Sequence, residues 1–73
     1  MGRRLGLVRG RQAVAKFQRA GWTLERQKGS HMMLTHPAYL WTLAVPDHEE
    51  LGPGLLRKLI KQAGLTTEQF NRL

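Results

Sequence analysis

Two amphipathic stripes, each about three helical turns long and each closed by a glycine, bracket the middle of this chain and constrain its fold more than any other feature. From Arg11 to Ala20 the apolar residues Ala13, Val14, Phe17 and Ala20 recur at helical spacing, with Arg11, Lys16 and Arg19 on the other side. Gly21 then supplies the residue type that takes the left-handed position past a helix end, and Trp22 is placed to pack back on the last turn. From Pro53 to Ala63 the same grammar returns. Pro53 suits a first turn, Leu55, Leu56, Leu59, Ile60 and Ala63 share a face, and Gly64 and Leu65 repeat the terminating pair. Arg57, Lys58 and Lys61 cluster opposite that apolar face.

Between the two helices lie three strand-like runs, Trp22 to Lys28, His31 to His36 and Leu40 to Pro46, separated by Gly29-Ser30 and by a turn at Pro37. Trp22 and Leu24 in the first run, and Trp41, Leu43 and Val45 in the third, alternate as residues of one buried sheet face do. By that parity both tryptophans read as core. The second run carries apolar residues at both parities, which leaves open the faces of Met32, Met33 and Leu34. Tyr39 and Leu40, at the second turn, read as more exposed, open to RNA or to a protein partner, with ordinary turn packing as the equal alternative. Thr66-Thr67-Glu68-Gln69 has the form of a capping box, so a short terminal helix is expected with Phe70 and Leu73 as its contacts. The fold expected is therefore α+β, in the order α-β-β-β-α, a three-stranded antiparallel meander with both helices on one face.

Residues 1–9 hold Arg3, Arg4 and Arg9 among glycines with no sustained period, so they read as a basic arm in front of a single domain at 10–73. The full chain of 73 residues is the size of one domain. It has no cysteine, which is expected of a chain that lives in the reducing cytosol and which rules out a disulfide framework. The basic opening has no apolar run of signal-peptide length, and nothing approaches a membrane span, so a cytoplasmic protein with no membrane partner is expected. Twelve Lys and Arg against five Asp and Glu give a formal charge of +7, which calls for a polyanionic partner: a nucleic acid or an acidic protein.

The motifs of common catalytic and metal sites are absent. His31, His36 and His48 lack the tight spacing of a zinc motif, and Asp47, Glu49 and Glu50 sit together in one loop, so no metal site and no cofactor are expected. His31 is different. It opens a strand directly after Lys28-Gly29-Ser30, so a sterically open turn sets an imidazole beside a cation and backbone N–H donors. An imidazole, with an unperturbed pKa of about 6.5, can take and return protons near neutrality. The alternative is a strand-end histidine that only hydrogen-bonds a carbonyl.

Taken in order, Ala20-Gly21-Trp22, Lys28-Gly29-Ser30-His31, His36-Pro37, Val45-Pro46-Asp47-His48, Glu50-Leu51-Gly52-Pro53-Gly54-Leu55-Leu56 and Gln62-Ala63-Gly64-Leu65-Thr66 resemble the HicA toxins of prokaryotic toxin-antitoxin systems, also called the YcfA-like family. The resemblance covers residues 11–73. It implies a fold like the double-stranded RNA-binding domain, metal-independent endoribonuclease activity on mRNA, and an essential histidine at His31. It also implies a HicB-type antitoxin as protein partner. The chain departs from the family pattern where Ala38-Tyr39-Leu40 replaces a shorter Asp-Gly turn, and where Glu49-Glu50 makes the following loop acidic.

On this reading Arg26, Lys28, Gly29, Ser30, Arg57, Lys58 and Lys61 hold the RNA backbone. His31 acts on the ribose 2′-hydroxyl as base or on the leaving oxygen as acid. The group responsible for the second proton transfer stays open among Lys28, His36, His48 and water. The rival reading is a non-catalytic binder of structured RNA with the same fold, which would have no need of His31.

Overall fold

A computed structural model of the chain describes residues 7–48 and 50–73. Arg3 and Arg4 of the expected arm, and Glu49 of the acidic loop, lie outside the described residues. The elements run α1 (Gly10–Arg19), β1 (Thr23–Lys28), β2 (His31–Thr35), β3 (Leu43–Pro46), α2 (Pro53–Gln62) and α3 (Thr67–Arg72). This is the α-β-β-β-α order with a third, terminal helix added. No helix among the described residues is long and apolar enough to cross a membrane.

Both long helices end as their glycines require. At α1 the Trp22 N–H reaches the Phe17 carbonyl at 3.0 Å and the Gly21 N–H that of Gln18 at 3.0 Å, with Gly21 at φ 100°. At α2 the Leu65 N–H reaches Ile60 at 3.1 Å and the Gly64 N–H reaches Lys61 at 3.0 Å, with Gly64 at φ 78°. These paired bonds are Schellman motifs, and they satisfy carbonyls that a helix end otherwise leaves open. The capping box of α3 is complete: Gln69 N–H donates to Thr66 Oγ1 at 3.1 Å and Thr66 N–H to Gln69 Oε1 at 2.9 Å.

The sheet order is β1-β2-β3, antiparallel throughout. Met32 and Leu34 of β2 pair with Val45 and Leu43 of β3, and all four are buried with Phe17, Trp22, Leu56, Ile60 and Phe70 in one core. Each fully buried Leu or Phe there contributes about 1.5–3 kcal/mol of transfer free energy. The helices cover this face. Met33, the residue whose direction the sequence left open, takes the opposite one, beside Ala44 on β3 and Arg26 on β1. A bulge between Leu24 and Arg26 keeps Arg26 and Lys28 on that open face.

Three sequence expectations need correction. Leu24, expected on a buried sheet face, is exposed on the edge strand β1, and Leu55, expected on the core stripe of α2, is exposed in the first turn of that helix. Trp41 is not core: β3 begins only at Leu43, and Trp41 is 50% exposed. The 36–42 segment wraps across the end of α2, and Trp41 Nε1 donates to the Gln62 carbonyl at 2.8 Å. For Tyr39 the structure takes the packed alternative. Tyr39 is half-buried, stacked on Trp22 at 5.4 Å with planes 4° apart, its hydroxyl over Gly64 where a Cβ would collide. Leu40 is fully exposed, as expected. Ahead of α1, Val8 forms an isolated bridge with Leu51, the Leu51 N–H donating to the Val8 carbonyl at 2.7 Å.

Candidate functional site

His31 opens β2 immediately after the Gly29-Ser30 turn, and Lys28 closes β1 directly opposite it. Gly29 stands at φ 60°, the value that the first central residue of a type II′ hairpin turn adopts and that glycine accommodates without strain. Same-face neighbours across a ladder have Cβ atoms about 4.5–5.5 Å apart, so the ammonium of Lys28 can reach whatever the imidazole touches. Both side chains are exposed, and among the described residues no side-chain hydrogen bond holds the His31 ring. The N–H groups of Gly29 and Ser30 likewise have no acceptor among the described residues. A ring, a cation and two backbone donors thus gather at one hairpin end, an arrangement suited to an anion.

The turn is fastened from behind. Asp47 N–H donates to the Ser30 carbonyl at 2.7 Å, and Gln27 Nε2 donates to the Gly29 carbonyl at 3.2 Å and to Asp47 Oδ2 at 3.4 Å. Arg11 grips the same carboxylate through Nε at 3.2 Å and Nη2 at 3.3 Å. The Arg11 hydrogen bond is the main reason that Asp47 ionises below the usual aspartate range. Partial desolvation opposes it, and the Arg11 charge, the Gln27 amide and the His48 charge assist it. Gly10 N–H donates to the His48 carbonyl at 2.9 Å, and a Cβ at Gly10 would overlap the Pro46 carbonyl oxygen. The start of α1 is therefore seated on the strand that pairs with His31.

Gln27 and Asp47 were not singled out in the sequence as parts of the site. Asp47 stands in the sequence as one acid of a loop and as part of the Val45-Pro46-Asp47-His48 run, with no role assigned, and Gln27 carries no signal, because their role depends on a register that brings residue 47 against residue 30.

The expected anion-binding residues fall into two groups. Arg26, Lys28, Gly29 and Ser30 share the hairpin and its open sheet face with His31. Arg57, Lys58 and Lys61 do not join them: they are exposed on α2, whose Leu56, Leu59 and Ile60 pack into the core on the opposite side of the sheet.

Of the groups left open for a second proton transfer, His36 lies at the far end of β2, roughly 16 Å away at strand rise. There it is packed against Trp22 at 5.2 Å and Tyr39 at 5.2 Å. Lys28 faces His31 across the ladder, and His48 follows two residues after Pro46, the β3 partner of His31. Among the described residues no three His, Asp or Glu side chains gather into a cluster that would hold a metal ion.

The model of the HicA toxin family of bacterial toxin-antitoxin systems matches residues 10–65. The match begins at the first residue of α1 and ends at the second Schellman motif, and it contains the whole sheet, the His31 turn and α2. No curated protein matches the chain. With most of its length matched by that family, the chain belongs to the HicA toxins, the toxin components of toxin-antitoxin systems, and is expected to have an antitoxin partner.

Proposed function

We propose that the chain is a metal-independent endoribonuclease that cleaves mRNA, with His31 as its catalytic histidine, and that a HicB-type protein is its antitoxin. The observation that carries this reading is the exposed His31 imidazole with Lys28 opposite it and, in the turn before it, two N–H groups that have no acceptor among the described residues. Cleavage proceeds by attack of a ribose 2′-oxygen on the adjacent phosphorus, with loss of the 5′-oxygen and formation of a 2′,3′-cyclic phosphate. One proton leaves the 2′-hydroxyl and one joins the 5′-oxygen. His31 carries one of these transfers. Lys28 and the N–H groups of Gly29 and Ser30 offset the charge that builds on the non-bridging oxygens. Arg26 holds backbone beside the turn, and Arg57, Lys58 and Lys61 add phosphate contacts from the helical layer.

The test is single-turnover cleavage of a defined RNA in EDTA by the partner-free chain and by His31→Ala, with the ends mapped. Wild type should give 2′,3′-cyclic phosphate and 5′-hydroxyl ends. The variant should fold normally and lose about 10² to 10⁴ in rate, the worth of a positioned acid or base. A requirement for a divalent ion, or a loss under about tenfold, overturns the reading.

A further inference from the structure

The open face of the sheet continues past His31. One same-face step along β2, about 7 Å, stands Met33, half-buried, with Arg26 opposite it on β1 and Ala44 opposite it on β3. Lys28, His31, Met33 and Ala44 line one shallow cleft of about 330 Å³. Its floor is the Met33 thioether and the Ala44 methyl group, and its rim is cationic. Ala44 matters by being small. Any longer side chain there would stand up from the sheet, whereas a methyl group keeps that face low beside Met33.

We propose that this floor is a nucleobase subsite: one base next to the phosphate held at Lys28 and His31 lies flat on Met33 and Ala44. The inference rests on the reading of His31 as the site of RNA cleavage, and it adds where the base beside that phosphate goes. The spacing fits, since a nucleotide carries its anionic and apolar parts a few ångströms apart, and this face offers a cation and an apolar surface at that separation. Charge complementarity favours an RNA occupant over an apolar peptide, because Arg26 and Lys28 flank the floor along β1. A thioether and a methyl group contact any base face without reading its edge. The subsite should therefore add affinity with little sequence preference.

Binding separates this inference from the chemistry. The probe is an oligoadenylate of about ten nucleotides, within the span of known single-strand sites. Its sugars are 2′-O-methylated, so no nucleophile is present and cleavage is not required. It is compared with the same backbone lacking its bases, at one salt concentration, on wild type, Met33→Ala and Met33→Leu.

On wild type, removing the bases should weaken binding by about fivefold, the low end for a stacked base because the floor has no aromatic ring. On Met33→Ala that penalty should shrink to less than about twofold, and Met33→Leu should restore most of it. Each ratio is taken within one protein, so a change in folded fraction cancels. An equal penalty on wild type and Met33→Ala overturns the subsite, as does no penalty on wild type. If Met33→Ala leaves RNA binding intact but weakens binding of a HicB-type antitoxin, the floor is a protein contact and the inference also fails. Loss of the His31 reading would register elsewhere, as wild-type protein that binds these oligonucleotides but cleaves no RNA.

Discussion

At one end of β2 the His31 imidazole stands exposed beside Lys28, held by no side-chain hydrogen bond among the described residues. At the other end the next residue after the strand, His36, accepts the Ala38 N–H at Nδ1 at 3.0 Å and packs against two aromatic rings. The residue type is the same and the surroundings are opposite. At the His36 end, Trp22, Tyr39 and Trp41 form one aromatic group, and both indole N–H groups donate to the last carbonyls of α2, at Ala63 and Gln62. At the His31 end the backbone is fixed by hydrogen bonds from behind while the side chain is left to solvent. One end uses its ring for packing, and the other fixes its turn and keeps its ring available.

The comparison breaks if the two histidines can exchange roles, and paired substitutions test that. His31→Ala should lose cleavage by about 10² to 10⁴ while its melting temperature stays put. His36→Ala should do the reverse. Losing a ring contact and a hydrogen bond costs roughly 1 to 2 kcal/mol, which in a domain of this size lowers the melting temperature by on the order of 5 to 15 °C. Its single-turnover rate below the transition should stay near wild type. Thermal unfolding and cleavage measured on both variants give four numbers, and a rate loss at His36 as large as that at His31 would end the distinction.

The glycines at the two ends sharpen it further. Gly29 and Gly64 both have positive φ, so alanine is strained at either by about 1 to 2 kcal/mol. A Cβ at Gly29 meets nothing within 4 Å, whereas at Gly64 it meets the Tyr39 hydroxyl. Gly64→Ala should therefore be the more destabilising in urea unfolding, by roughly a further 1 kcal/mol for displaced aromatic packing. Equal losses would mean that Tyr39 moves aside freely and the aromatic end is looser than its ring contacts suggest.

These ends were unequally legible in the sequence. The elements are readable because helical stripes, glycine stops and the Thr66 capping box are local signals, and they hold in the structure except at Leu55, which α2 leaves exposed. The Lys28-Gly29-Ser30-His31 turn was local as well. Trp41 is misplaced by alternation, and Tyr39 is left open, because their surroundings are made by α2, more than twenty residues away in sequence for Trp41 and its Gln62 partner. Alternation placed Trp41 in a strand that starts two residues later. The Gln27–Asp47 support behind the turn and the Met33–Ala44 floor in front of it depend on strand register, which period-two alternation leaves open wherever both parities are apolar.

The α2 cations test whether the open-face site stands alone. Replacing Arg57, Lys58 and Lys61 with Ala should flatten the log-affinity against log-salt slope by up to about 0.7 per lost contact on a single strand. Because α2 packs on the opposite side of the sheet from His31, the single-turnover rate at saturating RNA should not change. An unchanged slope would remove α2 from the RNA path. A fall in the saturated rate would show that RNA held there also governs the chemistry at His31.

The smallest expected effect is the pH response of the Asp47 support. With its pKa lowered, chiefly by the Arg11 hydrogen bond, Asp47 favours the folded turn when ionised. Its contribution is complete above the ordinary aspartate pKa of about 3.9 and is lost as pH falls through the lower folded value. The pair lies at the surface, so its stabilisation is slight. The Gln27 side-chain amide, which donates to Asp47 Oδ2, should accordingly report an acid transition whose midpoint lies below about 3.9. Arg11→Ala should raise that midpoint toward the ordinary value, since it removes the largest cause of the shift. Cleavage between pH 5 and 9 should then owe none of its pH dependence to Asp47. If the wild-type midpoint already sits at the ordinary value, or does not move in Arg11→Ala, the Arg11–Asp47 pair is not what fastens the turn, and its rigidity must come from the Asp47 N–H bond to Ser30 and the Gln27 bond to Gly29.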